Sequence, residues 1–157
     1  MRILSFDWAF WFLWVMATTL GWLLGWLLLP GIALLAAGIG AGFMQWLILQ
    51  QRISQPVRWF WSTAAGWGVG CLVVLFGLPA ELDMFSGVIL GLAVGTAQWI
   101  ILRNELQWTG WWVVFSIMAW TTGLHLLPGL LMTGISAGGL TGLALEILMR
   151  NPKPAGH

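Results

Sequence analysis

One helical hairpin is written three times along this chain. The pattern W-x7-W-x2-G occurs at Trp14, Trp22 and Gly25, at Trp59, Trp67 and Gly70, and at Trp112, Trp120 and Gly123. Each copy runs into a leucine–proline turn, at Leu29-Pro30, Leu78-Pro79 and Leu127-Pro128, so successive prolines lie 49 residues apart. A second small-residue stretch follows each turn: Gly38, Gly42, Gln45; Gly91, Gly95, Gln98; and Gly134, Gly138, Thr141. A period of this length means one supersecondary unit reused, with the core formed between the units.

Polarity sets the medium in which that unit folds. Of 157 residues, 7% are charged and 60% are apolar. A soluble domain carries about 25% charged residues, so this chain lacks the polar surface to cover a water-facing globule. Six uncharged stretches occur, at 8–29, 31–49, 59–78, 84–102, 106–127 and 129–145. Each approaches the ~20 residues that cross a hydrocarbon core as a helix. Only helices and closed barrels satisfy their backbone in lipid, and unbroken apolar runs indicate helices.

The sequence therefore predicts an all-α integral membrane protein. Residues 1–150 form a single six-span domain of three parallel-repeated hairpins (8–55, 56–108 and 109–150) around a pseudo-threefold axis. Residues 151–157, with two prolines, are expected to be a disordered cytoplasmic tail. The first apolar run has no small-residue cleavage site after it and reads as a span rather than a signal peptide. The lone Cys71 reads as a small packing residue.

Charge gives orientation. With six spans, one face holds both termini and the loops after spans two and four. That face carries Arg2, Arg52, Arg58, Arg103, Arg150 and Lys153, which is every lysine and arginine of the chain. The opposite turns carry Glu81 and Asp83. Short basic loops stay inside, so both termini are expected in the cytoplasm, with the chain in a bacterial inner or internal membrane.

In lipid, small residues rather than apolar burial bring helices together. Each span has one such pair at i, i+4: Gly21/Gly25, Gly38/Gly42, Gly66/Gly70, Gly91/Gly95, Ala119/Gly123 and Gly134/Gly138. Trp8, Trp11, Trp59, Trp61, Trp108, Trp111 and Trp112 cluster at helix starts, where an aromatic belt is expected. The deeper Trp22, Trp67 and Trp120 are expected to face protein, where indole N–H groups find acceptors.

The repeat also aligns polar groups: Thr18, Thr63 and Ser116 on the first helices, and Gln45, Gln98 and Thr141 on the second. One reading is a coordination ring for an ion, water or small polar ligand. The other is interhelical hydrogen bonding, which uncharged amides and hydroxyls suffice to supply. Glu146, the one acid inside a span, precedes Arg150 by four residues and reads as half of an ion pair. His125 shares the turn face with Glu81 and Asp83, so a metal site, or axial ligation of haem or chlorophyll, competes with a hydrogen-bonded helix-end histidine. No cofactor is expected.

No nucleophile has a histidine and an acid at motif spacing, and no zinc-hydrolase, P-loop or dinucleotide fingerprint occurs. The single loop charges make no nucleic-acid patch. At Gly66-Trp67 to Gly70, followed by Gly95 to Arg103 (G-W-x-x-G, then G-x-x-Q-W-x-x-L-R), the chain resembles a group of uncharacterised bacterial multi-pass membrane proteins rich in such hairpins. The third copy departs from the pattern with Thr141-Gly142 in place of Gln-Trp. The expected function is a non-enzymatic scaffold or accessory subunit, with the lipid bilayer, another membrane protein or a second copy as partner. The alternatives are a small-solute or ion transporter or channel through the centre, and pigment or haem binding.

Overall fold

The computed structural model describes residues 6–154. Its helices are α1 (Trp8–Leu28), α2 (Ala33–Leu49), α3 (Pro56–Leu72), α4 (Ser86–Leu102), α5 (Gly110–Thr121) and α6 (Leu130–Met149). No strand occurs among the described residues. Five of the six, with the short turns continuous with them, are long and apolar enough to cross a membrane. The exception is α5, twelve residues prolonged by a five-residue π-helical turn, Thr122–Leu126. A matching π-helical turn, Val73–Gly77, prolongs α3.

Two helix starts lie three or more residues from the start of their uncharged stretch. α3 begins at Pro56 rather than at 59, because proline at the first helical position has no N–H to lose and its φ is already helical. α5 begins at Gly110 rather than at 106. Leu106 is instead buried in the preceding loop, and Trp108 takes a positive φ of 58° there.

The helices pack in chain order, and α6 returns against α1 to close a ring. Small residues sit at every crossing. First-helix glycines meet their own hairpin partner: Gly21 abuts Gly40 and Ala41, and Gly25 abuts the backbone of Ala37. A Cβ on Gly66 would lie 2.8 Å from the Ala93 carbonyl, one on Gly70 3.0 Å from Leu90, and one on Gly123 2.9 Å from the Thr133 carbonyl. Second-helix glycines face the next hairpin. Gly38 lies on the Trp67 indole, and a Cβ on Gly42 would come within 2.7 Å of Thr63. The same test gives 2.6 Å to Ile117 for Gly91, 2.7 Å to Ser116 for Gly95, 2.7 Å to Thr19 for Gly134 and 2.9 Å to Val15 for Gly138. Ala119 is fully buried.

The end where α1 starts and α6 closes is laced by polar contacts; the opposite end carries the leucine–proline turns. Asp7 caps α1 by accepting from the Phe10 N–H at 2.9 Å and pairs with Arg52 at 2.9 Å. Glu146, buried, accepts the Asp7 N–H at 2.9 Å and pairs with Arg150 at 3.1 Å. Ser54 donates to Glu105 at 2.6 Å. Residues 151–153, part of the tail expected to be disordered, are held in place. Asn151 accepts from Gln107 N–H at 2.9 Å, and Lys153 N–H donates to the Glu105 carbonyl at 2.8 Å. Pro152 bridges to Leu106. Arg2 and residues 155–157 lie outside the described residues.

Candidate functional site

The polar residues aligned by the repeat meet in the centre of the ring. Gln45 donates from Nε2 to Thr18 Oγ1 at 3.0 Å, and its Oε1 accepts the Trp59 indole N–H at 3.3 Å. Gln98 repeats both contacts one hairpin later, to Thr63 at 2.8 Å and from Trp112 at 3.0 Å. Thr141 takes the third place with a shorter side chain. It accepts the Trp14 N–H at 3.0 Å and returns its own proton to the Ala137 carbonyl at 2.6 Å. The glutamine–threonine bonds lie within a hairpin, whereas each tryptophan bond joins one hairpin to the next and the last joins the third to the first. Because threonine cannot reach as far as glutamine, Ser116 Oγ is left buried with no partner among the described residues.

Six tryptophans fill the space above and below this layer. Trp59 stands edge-on to Trp14 and Trp112 with ring centroids 5.8 and 5.6 Å away. Trp22, Trp67 and Trp120 form a closed triangle with separations of 6.1, 5.6 and 4.5 Å. Eight residues of α1, or ~12 Å of helix rise, separate the two decks. Between them a void of only about 10 Å³ touches Gln45, Thr63, Gln98 and Thr141. That is about one water-sized sphere, so the layer has no room for a hydrated ion.

The structure corrects the placement of Trp59 and Trp112. Counting residues from the helix starts places them in an interfacial belt, but both are buried on the inner face. Trp8, Trp61, Trp108 and Trp111 are exposed as a belt requires, and Trp11 is tied to the Gly139 carbonyl at 3.0 Å. The sequence reading missed Trp14, Trp59 and Trp112 as donors to the polar layer. The signal was present in the W-x7-W spacing, since a step of eight residues keeps each within the ~100°-wide stripe that also holds the deeper tryptophan. Of the deep three, Trp67 donates to the Leu34 carbonyl at 2.7 Å, whereas the Trp22 N–H is buried without an acceptor among the described residues.

His125 does not join Glu81 and Asp83. Its Nε2 lies 3.1 Å from Ser86 Oγ and accepts the Gly87 N–H at 3.4 Å, capping the start of α4. Glu81 and Asp83 are exposed on the short helical turn Ala80–Phe85. Among the described residues, no three His, Cys, Asp or Glu side chains gather closely enough to hold a metal.

No protein family, curated protein or solved structure matches the chain.

Proposed function

We propose that this protein is a non-enzymatic bundle of a bacterial cytoplasmic membrane that acts through its outer wall, as a scaffold or accessory subunit for lipid or another membrane protein. Its three hairpins are read as related by a pseudo-threefold axis along the membrane normal. The recurrence of the Gln–Thr–Trp contacts from hairpin to hairpin supports that symmetry. The basic residues gathered at one end support placing both termini in the cytoplasm.

The observation that carries this reading is the filled axis. A transport path needs a polar cavity that opens to water. Here two tryptophan decks cover the glutamine layer, and both glutamines use their amide groups on a threonine and an indole. The outer wall, by contrast, presents exposed Leu27, Leu28, Phe76, Leu126 and many similar side chains, as a lipid-facing surface does.

Two experiments test the proposal. Reporter fusions after Arg52, Arg103 and Arg150 should read cytoplasmic and a fusion at Asp83 external; a cytoplasmic reading at Asp83 overturns the topology. Liposomes holding the purified protein should show no flux of ions or small solutes above empty liposomes. Flux that disappears in the well-folded double variant Gln45→Leu/Gln98→Leu would replace the scaffold reading with a channel.

A further inference from the structure

The three seams between hairpins are not alike. At α4–α5 and at α6–α1 the glycine of the second helix meets bare backbone: a Cβ on Gly91 would lie 2.6 Å from the Ile117 Cα, and one on Gly134 2.7 Å from the Thr19 Cα. At α2–α3 the corresponding Gly38 meets the indole of Trp67. That ring stands between the helices, fixed by its N–H on the Leu34 carbonyl at 2.7 Å. An indole is thicker than a backbone contact, so it wedges α2 from α3 on the side of the leucine–proline turns.

The wedge leaves an apolar groove of about 540 Å³ lined by Trp26, Leu34, Gly68, Cys71, Leu75 and Phe76. Beside it lies a second apolar groove of about 340 Å³ lined by Leu24 and Leu28 of α1, Gly40 and Phe43 of α2 and Phe60 of α3. Ile32 and Leu35 belong to both and form the ridge between them. Both volumes fall in the ~300–1,000 Å³ range of ligand sites.

We propose that one two-chained phospholipid of the outer leaflet is retained here, one acyl chain in each groove and its headgroup over the Pro30–Ile32 turn. This rests on the membrane-spanning reading above. Three features favour this occupant. The lining is apolar at a depth where the surrounding medium is hydrocarbon. The two grooves adjoin at Ile32 and Leu35, as two chains adjoin at one glycerol. A helix of another protein, ~10–12 Å across with its side chains, is too broad to enter both. Trp26, three residues from the end of α1, brings an amphipathic ring to the level where headgroups begin.

The test uses the full chain, reconstituted with dioleoyl phosphatidylglycerol, extracted in mild detergent and examined by native mass spectrometry. A Cβ at Gly68 meets nothing within 4 Å, so Gly68→Phe fills the larger groove without displacing backbone. Gly139 on α6 is equally open, so Gly139→Phe is the matched control away from both grooves. Wild type and Gly139→Phe should carry one phospholipid per chain, Gly68→Phe should weaken retention by about tenfold, and the one-chained lysophosphatidylglycerol should be retained poorly by all three. Equal retention by all three proteins, or equal retention of the one-chained lipid, overturns the proposal. So does a dimer present in wild type and lost in Gly68→Phe, which would assign the grooves to a second copy. The Asp83 fusion separates the two levels: external Asp83 without lipid retention sinks only the lipid site, whereas cytoplasmic Asp83 sinks the reading beneath it.

Discussion

Gln98 holds its neighbours through two hydrogen bonds that leucine, of similar volume, cannot make. Gln98→Leu strands the Trp112 N–H in the core, a loss of about 1–3 kcal/mol. Thermal unfolding in detergent should fall accordingly, and adding Trp112→Phe, which removes the stranded donor, should cost less than it does in the wild type. Strict additivity of the two changes would mean the pair does not interact. Ser116 makes the opposite case. Its hydroxyl has no partner among the described residues, so Ser116→Ala should leave unfolding unchanged or raise it; a loss beyond ~1 kcal/mol would show a hidden partner. At the helix start, the Phe10 N–H and then the Arg52 guanidinium hold the Asp7 carboxyl below its ordinary range. A lowered carboxyl stabilises the folded state above about pH 4, and that contribution fades as acid protonates it. Unfolding followed from pH 7 down to pH 3 should therefore be less acid-sensitive in Asp7→Asn than in wild type.

Helices meet here through missing side chains. Gly42→Leu or Gly95→Leu drives a branched side chain into Thr63 or Ser116, and should lower the melting temperature far more than Gly77→Leu, where a Cβ meets only Val73 at 3.9 Å. Equal shifts at the three positions would remove the packing role. Much of this scale is legible in sequence. Apolar length gives the helices, i, i+4 glycines give the crossings, and the leucine–proline pairs give the turns. What sequence conceals is rotation. Trp111 and Trp112 are adjacent and equally deep, yet one is exposed and the other buried, because 100° of helix separates a lipid-facing side chain from an inward one. Depth alone therefore sends Trp59 and Trp112 to the belt, and the hydrogen bonds of Gln45 and Gln98 go unpaired until the ring is closed. The ordering of Asn151 to Lys153 is hidden for a related reason, since its partners lie in the loop between α4 and α5.

At the level of the whole molecule, stability depends on the closure of the ring. The segment after Met149 clamps the 103–107 loop, so a chain ending at Arg150 should show faster amide hydrogen exchange across that loop while the helix centres keep their protection. Unchanged exchange would mean the clamp is ornamental to the fold. The seam between α6 and α1 has a further consequence, in time rather than in space. Its Trp14–Thr141 and Asp7–Glu146 hydrogen bonds join residues 127 and 139 positions apart. A ribosome delivers α1 first and α6 last, so most of synthesis elapses with the inner flank of α1 unpartnered in the bilayer. Two hairpins can assemble as they emerge, but the circle shuts only once the final helix is released. The nascent protein is thus an open arc, its α1 flank facing lipid until α6 arrives to cover it.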